Sequence, residues 1–177
     1  MPRFKPFTFT NIIIVITLIM FAIQNSIEYG GLLLGLNMYF IAYGFWWQPL
    51  SSMFVHGGFL HIAMNMFVLY QFGNLIEYHL GKKQMFILYF IGGILTSLLS
   101  FGYLYLFEQS VNLVGASGAI CVLLGFIALF DEYQRKGIVI WVILISVLPV
   151  VLGMPVAWYA HFIGFAIGWL FGLLKRA

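Results

Sequence analysis

Long apolar runs, broken only briefly by polar residues, govern what this chain can become. They fall at about residues 9–27, 59–79, 84–106, 115–130, 137–154 and 156–174, set against the roughly 20 residues a helix needs to cross a bilayer. A soluble core in a chain of 177 residues could not hide them, because 63% of the residues are hydrophobic, 7% are charged and the mean hydropathy is +1.05. The pattern predicts an all-α integral membrane protein, a bundle of six transmembrane helices forming a single domain over residues 1–177.

Charge placement orients that bundle. The basic residues come in pairs, Arg3 with Lys5, Lys82 with Lys83, Arg135 with Lys136 and Lys175 with Arg176. With six spans, all of them fall on one side. The positive-inside rule makes that side cytoplasmic, so both termini lie inside and the loops after spans one, three and five lie outside. Dispersed pairs make no basic stripe, which argues against a nucleic-acid partner despite the net charge of +3. Residues 1–25 mimic a secretory signal, but no small-residue cleavage site follows, so the segment is read as an uncleaved first span. Cys121 is the only cysteine, which excludes an internal disulfide and a thiolate metal cluster.

The stretch from Tyr29 to Gly58 is apolar enough to suggest a seventh span. A crossing there would put Arg3 and Lys5 opposite the other basic residues, and Gly30, Gly31, Gly35, Gly44 and Pro49 interrupt any continuous helix. The segment is expected to be an outer loop between spans one and two. It is partly embedded through aromatic residues such as Tyr39, Phe45, Trp46 and Trp47, which suit the membrane interface.

Against this apolar background a few polar residues are out of place. Ser117 lies in Gly115-Ala116-Ser117-Gly118 at the start of span four, and His161 lies inside span six. Ionisable groups within a membrane are functional candidates. A span from 115 to 130 is about 24 Å long, shorter than the hydrocarbon core of about 30 Å. Asp131, Glu132, Arg135 and Lys136 pin its inner end, so Ser117 is expected to be recessed below the outer surface, facing a water-filled pocket. On span six, Ala160, Gly164, Gly168 and Gly172 recur every four residues. That stripe would allow close packing against Gly118 and Gly125 of span four, although most such stripes only pack helices.

Span two contributes His61 and Asn65, four residues apart and hence on one helix face, with His56 just before them. These groups could satisfy one another and the loop backbone, or His61 and Asn65 could donate hydrogen bonds to an oxyanion. His56, His61 and His161 could in principle bind zinc. No His-Glu-x-x-His pair supports a metal, and Glu77 lies too far down span two to act beside His61; neither metal nor cofactor is expected.

Three segments together carry a resemblance: Gly115-Ala116-Ser117-Gly118, the run from His56 through His61 to Asn65, and Ala160-His161-Phe162-Ile163-Gly164. In this order and orientation the chain resembles the rhomboid family of intramembrane serine proteases, in its minimal six-span bacterial form. The resemblance implies a Ser117–His161 catalytic dyad, with His61, the Asn65 side chain and the Ser117 N–H as the oxyanion hole. His56 would support the outer loop, Trp47 would anchor it, and Glu77 with Gly81 would form a structural element at the inner end of span two. Substrates would be transmembrane segments of other proteins, cut near their outer end in a bacterial inner membrane. Two positions depart from the family pattern. Trp47-Gln48 stands where many relatives have Trp-Arg, and Cys121 stands where some place a tyrosine against the histidine ring. A catalytically inactive client-binding protein and a small transporter are the competing function classes.

Overall fold

The computed structural model of the protein describes residues 7–176, so Arg3 and Lys5 lie outside the described residues. The described chain is an all-α membrane bundle. Its long helices are α1 (Phe9–Ser26), α5 (Phe59–Phe86), α6 (Gly92–Leu106), α7 (Ser117–Phe130), α8 (Glu132–Val151) and α9 (Trp158–Arg176). Three short helices, α2 (Gly30–Leu34), α3 (Tyr39–Ala42) and α4 (Gln48–Ser51), fill the segment between α1 and α5, and each is far too short to cross a bilayer. Among the described residues three helical stretches are long and apolar enough to cross: Phe9–Ser26, the continuous Phe59–Leu106 and Glu132–Val151. The second is broken where Gly81 takes φ +80° and ψ 170°, a left-handed conformation that favours glycine, so α5 turns there and resumes through a π-helical turn at Ile87–Ile91 into α6.

Some helix ends differ from the sequence pattern. The helix expected from 115 begins at Ser117, because Gly115 adopts φ +119° and Ala116 is the residue before the first turn. The one expected from 137 begins at Glu132, where Asp131 caps it, and it continues through Pro149 to Val151.

The bundle is built around α7. Every residue from Ala119 to Leu129 is buried, whereas α1 and α8 turn apolar faces such as Ile12, Val15, Ile19, Ile143 and Leu144 outward, as lipid contact requires. α9 lies close along α7. A Cβ at Gly125 would meet the Phe165 carbonyl, one at Gly164 the Gly118 carbonyl, and one at Gly168 the Val122 carbonyl. Glycine at these positions therefore sets the interhelical distance, and that distance brings the first turns of α7 and α9 together.

At the end of the bundle away from Ser117, Glu77 of α5 closes the start of α1. Its two oxygens accept hydrogen bonds from Phe9 N–H (2.8 Å), Thr10 N–H (2.8 Å) and the Thr10 hydroxyl (2.9 Å). First-turn N–H groups have no intrahelical acceptor, and a carboxylate also suits the positive end of the helix dipole. Arg135 and Arg176 close the other helix terminus at this level. Arg135 Nε donates to Ala128 O (2.7 Å), and both guanidinium groups donate to Leu129 O (3.1 and 2.9 Å), capping the last carbonyls of α7.

Candidate active site

The segment between α1 and α5 is held by buried amides. Gln48 is fully buried; its Oε1 accepts from Asn37 N–H (3.3 Å) and its Nε2 donates to Leu32 O (3.2 Å) and Leu33 O (3.4 Å). Where a cation would need a counter-charge, a neutral amide satisfies the loop backbone with no buried charge. Trp47 stacks on Phe45 and donates its indole N–H to Leu33 O (3.0 Å). Asn112 binds Gly31 O (2.9 Å) and accepts from Asn37 (2.9 Å), and Leu36 pairs with Leu113 through two backbone hydrogen bonds. The loop between α1 and α5 is thereby fastened to the segment that leads into Ser117.

That segment is fixed from two further directions. Gly115 N–H donates to Ser52 O (2.9 Å), and Ala116 N–H donates to His56 Nε2 (3.3 Å). The His56 backbone is itself clamped, since Gln24 accepts from its N–H (2.8 Å) and donates to its carbonyl (2.7 Å). His56 thus ties α1, the loop between α1 and α5, and the entry to α7 together. Because its Nε2 accepts, its proton resides on Nδ1.

Ser117 opens α7, and His161 lies in the first turn of α9. Their side chains meet, with Ser117 Oγ 3.0 Å from His161 Nε2. His161 is almost wholly buried, with 5% of its surface exposed. The other ring nitrogen, Nδ1, lies 3.1 Å from the hydroxyl of Ser146 in α8, a contact that none of the sequence signals pointed to. Cys121 is buried beside Gly164 on the α7–α9 seam.

His61 approaches from α5. Its Nδ1 accepts from Gly57 N–H (3.4 Å), which leaves Nε2 as the donor nitrogen. A Cβ at Gly115 would lie 2.9 Å from that Nε2 and 3.8 Å from Ser117 Oγ. The absent side chain of Gly115 therefore leaves the space between the two groups clear. One N–H of the Asn65 side chain donates to His61 O one turn back (2.8 Å), and the other has no acceptor among the described residues. The backbone N–H groups of Ser117, Gly118 and Ala119 likewise have none, as first-turn groups do. Such an end attracts negative charge. Among the described residues, no three His, Cys, Asp or Glu side chains gather to hold a metal ion.

Fold and site define a class: a helical membrane protein with a hydroxyl and an imidazole hydrogen-bonded at the open N-terminus of a buried helix. Residues 43–177 match the Rhomboid domain family model, and the chain belongs to that family. It is similar to RHOMBOID-like protein 4 of Arabidopsis thaliana, 37% identical over 139 residues that cover 72% of this chain and 34% of that protein. RHOMBOID-like protein 7 of the same plant is 34% identical over 139 residues, 72% of this chain and 42% of the relative. The Rhomboid protease GluP of Bacillus subtilis is 32% identical over 96 residues, 54% of this chain and 18% of that protein. The chain thus spans less than half the length of each of these relatives.

Proposed function

We propose that the protein is an intramembrane serine endopeptidase that cleaves transmembrane segments of other membrane proteins near their outer end. The observation that carries this reading is the 3.0 Å contact between Ser117 Oγ and His161 Nε2 beneath an unsatisfied helix N-terminus. Ser117 Oγ attacks the peptide carbonyl while its proton passes to His161 Nε2. The carbonyl oxygen becomes an oxyanion, received by the Ser117 N–H, His61 Nε2–H and the free N–H of the Asn65 amide. His161 then gives its proton to the leaving amine, the C–N bond breaks, and water releases the acyl group from Ser117 by the same steps in reverse order. A regular helix hides its peptide bonds in i to i−4 hydrogen bonds, so a substrate must unwind locally, near small or helix-breaking residues.

The reading extends to orientation. Paired basic residues support cytoplasmic termini in a bacterial inner membrane, with the site opening outward. The test is cleavage of a reporter transmembrane substrate in liposomes, comparing the parent with Ser117→Ala and His161→Ala. Both variants are expected to lose cleavage by three orders of magnitude or more, on the order of losses at catalytic serines and histidines. Undiminished cleavage by either sinks the dyad. Absence of cleavage by the parent, together with no labelling of Ser117 by a fluorophosphonate, favours a client-binding protein instead.

A further inference from the structure

Ser146 sits on a helix whose neighbouring residues Ile143, Leu144, Val147 and Leu148 are all exposed to the lipid side, yet it has no accessible surface. A hydroxyl buried in an apolar bundle needs hydrogen-bond partners, and Ser146 has two. Its Oγ lies 2.6 Å from Val142 O, one turn back on α8, and 3.1 Å from His161 Nδ1. A carbonyl cannot donate, so the hydroxyl proton is directed to Val142 and an Oγ lone pair faces the imidazole. Nδ1 must then be the protonated nitrogen. The bare nitrogen is Nε2, the one 3.0 Å from Ser117 Oγ.

We propose that Ser146 is the positioning residue of the Ser117–His161 pair, holding the imidazole in the tautomer that can take the serine proton. This rests on the protease reading above. The opposite tautomer would aim Nε2–H at Ser117, and a nitrogen that already carries a proton cannot accept one. Ser146 touches neither substrate nor the reacting atoms; it acts through His161. When the ring becomes an imidazolium, its Nδ1–H keeps an acceptor. A carboxylate would do the same more strongly, but inside an apolar bundle its desolvation is costly. A hydroxyl aimed by a helix carbonyl sets the tautomer with no buried charge, and it makes α8 a supporting element of the site as well as a lipid-facing helix.

The test compares Ser146→Ala, Ser146→Thr and Ser146→Cys in the full chain, reading kcat and KM on the reporter substrate, the thermal midpoint, and the His161 ring nitrogens by 15N NMR. Alanine is expected to lower kcat about ten-fold, the scale of one neutral hydrogen bond, with KM within two-fold of the parent. Threonine is expected to restore the rate, and cysteine, a weak acceptor, to fall between. The parent ring should show a protonated Nδ1, and the alanine variant a mixture of tautomers. Parental kcat in the alanine variant, an unchanged tautomer, or a threonine variant as impaired as alanine with a lowered thermal midpoint would each overturn the proposal. If alanine does not fold, threonine against cysteine decides it. If the parent neither cleaves nor labels, the protease reading has failed, and the NMR comparison still decides whether Ser146 sets the ring.

Discussion

The two ends of α7 are built from opposite answers to one problem. At the C-terminal end the carbonyls of Ala128 and Leu129 are closed by Arg135 and Arg176, whose guanidinium groups also lie over the Trp169 and Phe130 rings. At the N-terminal end the N–H groups of Ser117, Gly118 and Ala119 have no acceptor among the described residues, and the side chains of His56, His61 and His161 gather around them. Closing a helix end stabilises it. Leaving one open in a buried place forgoes that stabilisation, and makes sense where the donors await a transient negative charge.

The most severe way to break this contrast is to separate α7 from α9, on which both ends depend. A Cβ at Gly168 would run into the Val122 carbonyl, and backbone cannot rotate away. Gly168→Ala is expected to lower the yield of folded protein in detergent severely and to abolish cleavage by what remains. A variant with parental stability would show that the two helices are not held at glycine distance.

His61→Ala sharpens the contrast from the N-terminal end of α7. It removes one proposed oxyanion donor, and losses of this kind amount to about 10²–10³ in kcat. The thermal midpoint is expected to stay within a few degrees, because His61 Nδ1 makes only a long 3.4 Å contact. The counterpart is the double variant Arg135→Ala/Arg176→Ala, which removes charged donors from Leu129 O. It is expected to cost about 1–3 kcal/mol of stability while leaving cleavage per folded molecule unchanged. If the arginine variant loses catalysis at constant stability, the division between the ends fails.

Local spacing explains what could be read in advance. A period of four put Ala160, Gly164, Gly168 and Gly172 on one face, and the short apolar run ending at Asp131 marked a helix start near Ser117. Other features depend on partners remote in the chain. Glu77 could be placed toward the far end of α5, but not as the cap of α1, whose Phe9 lies 68 residues away. Gln48 was visible only as a departure after Trp47; its burial under Leu32 and Leu33 follows from the fold of the loop. Ser146 gave no signal, since a serine in an apolar helix ordinarily bonds its own i−4 carbonyl. It does so here, and the second lone pair that reaches His161 has no signature in sequence.

The mildest prediction concerns the start of α8, beside the closed end of α7. Asp131 Oδ1 accepts from Gln134 N–H (2.9 Å) and Oδ2 from the Gln134 side-chain amide (2.6 Å). The Gln134 N–H holds the Asp131 carboxyl below its ordinary value, outweighing the opposing effect of its slight burial. A carboxyl lowered in the folded state contributes stability that is fully present above its unfolded pKa of about 3.9 and is lost as pH falls through the lowered folded value. Asp131→Ala is therefore expected to lower the thermal midpoint slightly at pH 7, on the scale of about 1 kcal/mol for an N-cap, and less where solvent screens the charge. The gap between parent and variant should persist at pH 5 and close only in stronger acid, with cleavage at pH 7 unaffected. A gap that closes near neutrality would assign the stabilisation to a group with a higher pKa. A loss of cleavage at constant stability would mean that the C-terminal end of α7 takes part in what the N-terminal end does.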